Sequence, residues 1–79
     1  MLLKYIESAM KKAHYEILDN EGIYGEIKEL QGVYAQAETL EECREELAST
    51  LEEWIFIRIS KSLDIPVMDG IDLKVKDIA

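Results

Sequence analysis

The chain has 79 residues, 48% of them hydrophobic and 33% charged, with a formal net charge of −8. That is enough apolar material for one modest core and too much for a disordered chain, so a single domain over residues 1–79 is expected. The acidity argues against unaided binding to nucleic acid, where attraction to phosphate dominates affinity, and against docking on anionic membrane surfaces.

No stretch approaches the ~18 consecutive apolar residues of a membrane span. The start, MLLKYIESAMKKA, is broken by Glu7, Lys11 and Lys12 and lacks the apolar run of a signal peptide. The single Cys43 has no internal disulfide partner. These features together predict a cytoplasmic protein. An acidic surface keeps a protein soluble, and it also steers in a basic protein partner.

Leu2 to about Lys12 has a helical period, with Leu2, Leu3, Ile6, Ala9 and Met10 on one side and Lys4, Glu7, Ser8 and Lys11 opposite. From Ala13 the period changes to two. Ala13, Tyr15 and Ile17 point one way, and His14, Glu16 and Leu18 the other. Asp19-Asn20-Glu21-Gly22 is a turn sequence, and Ile23, Gly25 and Ile27 then alternate with Tyr24 and Glu26, which predicts a hairpin. A loop over 28–32 leads to a third alternating run, in which Val33, Ala35 and Ala37 oppose Tyr34, Gln36 and Glu38.

One face of the three strands is thus small and apolar, made by Ile23, Gly25, Ile27, Val33, Ala35 and Ala37. The other carries Tyr24, Glu26, Tyr34 and Gln36. In an antiparallel sheet covered on one side, the second face is free to meet water or a partner.

Thr39 to about Ser62 reads as one long helix. Thr39 is placed as N-cap with Glu42 three residues on, in the manner of a capping box. Leu40, Cys43, Leu47, Leu51, Trp54, Ile55 and Arg58 recur on one face, while the paired glutamates 41-42, 45-46 and 52-53 fall mostly elsewhere. From Trp54 to Ile59 the helix is apolar almost all round. Trp54 continues the packing stripe. Together with Phe56, Ile57 and Ile59 it forms the expected interface for a homo-oligomer. Pro66 then bars helix, and Ile71 to Lys76 alternates again, predicting a short fourth strand. The expected fold is α+β: an N-terminal helix, a three-stranded antiparallel sheet, one long helix packed on it, and that fourth strand.

Reactive groups are sparse. His14 shares a strand face with Glu16, an arrangement that general-base chemistry could use, but with so few other groups to form a site it reads as a surface histidine. Cys43 lies on the apolar stripe, as a buried structural thiol does. The glutamate pairs lack the spacing of a calcium loop, and the glycines lack that of a phosphate loop. No catalytic residue, metal site or cofactor is expected.

The order Tyr24-Gly25-Glu26-Ile27, then Leu30-Gln31-Gly32-Val33, then Thr39-Leu40-Glu41-Glu42 opening a glutamate-rich helix near Trp54, resembles the HicB antitoxin family. Gln31 stands where that family often has proline, and Cys43 where it often has alanine. The resemblance spans Ala13 to Ser62. It implies a truncated ribonuclease H-like fold, although the carboxylate cluster of a working ribonuclease H is not evident in this sequence. It also implies a role in binding and neutralising HicA-type toxins, small basic proteins that cleave mRNA. From geometry, the partner-binding residues expected are Tyr24, Glu26, Tyr34 and Gln36 on the open sheet face, with Asp19 and Glu21 at the hairpin tip. The alternative is an orphan structural or regulatory homo-oligomer of the same fold.

Overall fold

In the computed structural model, which describes residues 2–73, α1 (Leu2–Lys11) is followed by β1 (His14–Leu18), β2 (Gly22–Glu26), β3 (Tyr34–Ala37) and α2 (Leu40–Ser60). The strands form one antiparallel sheet in the order β1-β2-β3. Leu18 faces Gly22 across a three-residue loop, which sets the register Tyr15↔Gly25 and Glu16↔Tyr24. Ile23↔Ala37 and Gly25↔Ala35 extend it to β3. Gly22 sits at φ +84°, and a Cβ there would overlap the Ala37 carbonyl oxygen, so no other residue fits this turn.

α2 starts as expected. Thr39 is extended, its Oγ1 accepts from the Glu42 amide at 3.1 Å, and its hydroxyl donates to Glu42 Oε1 at 3.0 Å. The helix ends in a Schellman arrangement: the Ser62 amide donates to the Ile59 carbonyl and the Leu63 amide to the Arg58 carbonyl, with Ser62 at φ +55°. Arg58 also donates to the Asp64 carbonyl at 3.0 Å, closing the chain back on the helix.

The core lies between α2 and the sheet. Cys43, Leu47, Leu51 and Ile55 are buried on α2 and face Ile27, Val33 and Ala35. Gly25 makes the close approach possible: a Cβ there would lie 2.9 Å from the Tyr15 ring and 3.1 Å from Cys43 Sγ. Leu40 has the phase of this stripe but is 52% exposed, because it sits at the helix start. α1 adds Tyr5 and Ala9, both fully buried, and the Tyr5 hydroxyl donates to the Pro66 carbonyl at 2.6 Å. α2 packs chiefly on β3 and β2. β1 is therefore less covered, and Ile17, on its helix side, is 87% exposed.

The predicted fourth strand is a correction. Ile71–Leu73 join no sheet. Ile71 forms a two-residue bridge with Met68 across Asp69-Gly70, with amide–carbonyl bonds of 2.8 and 3.0 Å. Met68 and Leu73 are buried and Ile71 and Asp72 are both half-buried, so the segment packs on the core as a local turn and not as a strand with two faces. The rest of that run, residues 74–76, lies outside the described residues. Lys12 Nζ meets Asp69 Oδ1 at 3.0 Å and pins the turn beside the end of α1. No helix among the described residues is long and apolar enough to cross a membrane.

These features give two stability expectations. Ser62→Gly removes the strain of a side chain in the left-handed region and should raise stability by up to about 1 kcal/mol, while Leu47→Ala should lower it by about 2–5 kcal/mol. Urea unfolding measures both. A third concerns pH. The Lys12 ammonium holds the Asp69 carboxyl below its ordinary 3.8, chiefly through their hydrogen bond. The folded value is the lower one, so the contact's stabilisation is present above the unfolded value and lost as pH falls through the folded one. Carboxyl-carbon NMR should find Asp69 titrating below 3.8, and Lys12→Gln should bring it back up.

Candidate functional site

The register arranges the sheet face turned away from α2 as a small grid. One row across the strands is His14, Glu26 and Tyr34, and the next is Glu16, Tyr24 and Gln36. Tyr24 and Tyr34 are diagonal neighbours whose rings stack with centroids 6.2 Å apart and planes 29° apart. Glu16 and Glu26 form the parallel diagonal one strand over, so that Glu16 lies across from Tyr24 and Glu26 across from Tyr34. The Tyr24 hydroxyl donates to Glu26 Oε1 at 3.4 Å, and burial, with the Glu26 charge next, raises the phenol above its ordinary value of 10.0. His14 Nε2 lies 3.5 Å from Glu16 Oε1, with both side chains more than half exposed.

The hairpin tip joins this face. Gln36 Nε2 donates to the Glu21 carbonyl at 2.9 Å, tying β3 to the loop that carries Asp19 and Glu21. Tyr34, 59% exposed, stands at a corner. Around that corner, an open groove of about 420 Å³ between β3 and α2 is lined by Tyr34, Glu45, Glu46, Ser49, Thr50 and Glu53. The acidic surface thus continues from the sheet face past the outer edge of β3 onto α2.

The six residues expected at a partner surface are placed as follows. Tyr24, Glu26, Tyr34 and Gln36 are adjacent on the open face, and Asp19 and Glu21 sit at its end. His14 and Glu16 belong to the same face and were not in the expected set. The signal for them was available: strand parity together with the three-residue loop puts Glu16 across from Tyr24. The residues expected at an oligomer interface divide. Trp54 is half-buried and engaged within the chain, its indole N–H donating to the Gln31 carbonyl at 3.1 Å and Arg58 lying 4.5 Å over its ring. Phe56 and Ile59 line a hollow with α1, and Ile57, about 100° round the helix from Phe56, points elsewhere.

Chemically, the open face offers aromatic planes beside carboxylates, a combination that receives cationic side chains by stacking and charge pairing. Cys43 is fully buried, its Sγ 3.7 Å from the Ala35 carbonyl, and burial raises its thiol. That environment suits packing rather than nucleophilic attack. No cluster of three or more His, Cys, Asp or Glu side chains suited to a metal ion occurs among the described residues.

Comparison with known proteins places these features in context. No curated protein matches the chain. Among solved structures, the crystal structure of TTHA0281 from Thermus thermophilus is similar, with 36% sequence identity and a TM-score of 0.86, covering 92% of this chain and 91% of that one. The UPF0150-like family model matches residues 4–66, from within α1 to Pro66, the residue that anchors the Tyr5 hydroxyl. The chain belongs to the UPF0150-like family.

Proposed function

We propose that this chain is a HicB-type antitoxin: a binding protein that docks a small basic, mRNA-cleaving toxin of HicA type on its open sheet face and thereby neutralises it. The observation that carries the reading is the stacked Tyr24–Tyr34 pair flanked by Glu16 and Glu26 on a face that the chain's own helices leave uncovered. Membership of the UPF0150-like family, the motif order from Tyr24 to Glu42 and the −8 charge support it. In this reading the chain is not an enzyme and needs neither metal nor cofactor; its task is to cover a surface.

Electrostatics would act mainly on encounter. A net-negative plate speeds the approach of a basic partner and fixes its orientation, while the two tyrosines supply the buried contact area that slows dissociation. Tyrosine suits the second role because its ring is large and rigid and its hydroxyl stays polar.

The test is co-expression with a small basic HicA-type toxin, read as growth rescue, with binding of the purified pair measured by calorimetry. Tyr34→Ala should weaken binding by about tenfold or more, equivalent to about 1.4 kcal/mol. Because Tyr34 is 59% exposed, the fold should be little affected. Glu16→Gln with Glu26→Gln should slow association and flatten its dependence on salt. A basic toxin bound equally well by these variants, or no toxin partner at all, would contradict the reading.

A further inference from the structure

The outer edge of β3 has a backbone pattern that neither the core nor the open face uses. At the end of the β2–β3 ladder the Ile27 amide donates to the Val33 carbonyl at 3.1 Å. Bonded and non-bonded pairs alternate along an antiparallel ladder, so the next bonded pairs are Gly25↔Ala35 and Ile23↔Ala37. The backbone N–H and C=O of Tyr34 and Gln36 therefore point the other way, out of the sheet. β3 is the last strand on that side among the described residues. Its outward peptide groups come in two sets about 6.8 Å apart.

α2 walls this edge on one side. It runs back along β3, with Cys43 near its start beside Ala35 and Trp54 further on bonded to Gln31. The groove of about 420 Å³ between them has Tyr34 and Ala35 on the strand side and Glu45, Glu46, Ser49, Thr50 and Glu53 on the helix side. Every charged side chain in that lining is a glutamate, and all three are exposed. Arg44 and Arg58 stand outside the lining, and Arg58 lies over the Trp54 ring instead.

Backbone and charge together select the occupant. Outward peptide groups receive another extended backbone, which gains affinity from main-chain hydrogen bonds. A strand laid about 4.8 Å outside β3 enters the groove, and every second side chain turns toward α2. Those side chains recur about every 6.8 Å, while Glu46 and Glu53 are about 10.5 Å apart along the helix. The long flexible stem of lysine spans that difference, and its ammonium meets the carboxylates. A second copy of this chain suits the edge poorly, because pairing β3 with β3 brings another Glu45, Glu46 and Glu53 to the same seam. Nucleic acid suits it no better, since phosphates would meet the same glutamates.

We propose that the outer edge of β3 takes a lysine-rich extended segment of a partner protein as a further strand, its backbone pairing with Tyr34 and Gln36 and its lysines lying along Glu46 and Glu53. This goes beyond the toxin reading: the edge is a separate surface from the open face, and its test involves no toxin.

The probe is a synthetic octapeptide of alternating lysine and threonine, blocked at both ends and titrated into the isotope-labelled full chain. In the free chain the Gln36 amide should exchange with solvent far faster than those of Ala35 and Ala37. Saturating peptide should slow exchange at Tyr34 and Gln36 by about tenfold or more and shift the amides of Ser49, Thr50 and Glu53. Glu46→Gln with Glu53→Gln should weaken binding by about tenfold at low salt, with an unchanged circular dichroism spectrum. Methylating the backbone nitrogens of the threonines blocks one edge of the peptide strand, and methylating those of the lysines blocks the other. One of these peptides should lose binding and the other keep it, at equal charge. Two methylated peptides that bind alike would overturn the proposal. So would a Gln36 amide already protected in the free chain, or peptide shifts gathered on Glu16 and Tyr24 of the open face.

Discussion

The architecture rests on one contact: the Cys43–Leu47–Leu51–Ile55 stripe of α2 against the small-residue face of β2 and β3. Gly25, Val33 and Ala35 let the helix lie close, and Gly25 in particular leaves space shared by the Tyr15 ring and Cys43 Sγ. A single long helix covers one side of a three-stranded sheet and no more. With α1 leaning on α2 rather than on the strands, the described chain has no element left to cover the opposite face. The exposed grid of tyrosines and carboxylates is therefore a direct consequence of how the core is built.

Much of this was legible in the sequence, for identifiable physical reasons. Strand parity and helical period are strong local signals, so Val33, Ala35 and Leu47 were readable as core and Tyr24, Tyr34 and Gln36 as the other face. Thr39 and Glu42 announce the start of α2 because a cap is a four-residue interaction. Features that depend on where elements end were harder to read. Leu40 has the right phase, yet it sits at the start of the helix, outside the buried stripe. Ile71–Leu73 alternate in polarity, yet polarity alone supplies no partner strand, and Ile71 bridges to Met68 within a turn instead. Among the site residues, His14 and Glu16 needed the hairpin register, which comes from loop length rather than from either strand alone. The Phe56 hollow needed α1 beside α2, a tertiary relation that no period encodes.

The two faces of the molecule differ in character. The sheet side is polar, aromatic and acidic, and its acidity runs past the outer edge of β3 to Glu45, Glu46 and Glu53. The helix side has an apolar hollow bounded by charges of both signs. An acidic aromatic surface attracts cationic groups, whereas the apolar hollow on the helix side offers area without a net charge of one sign.

Amide chemical-shift mapping of the labelled chain, as the basic toxin is titrated in, is the decisive measurement for docking on the open sheet face. Perturbations should gather on β1, β2 and β3 around Glu16, Tyr24, Tyr34 and Gln36 and spread to the hairpin tip, while the amides along the α1–α2 valley stay still. Perturbations concentrated on Leu2, Leu3 and Phe56, with a silent sheet face, would refute it.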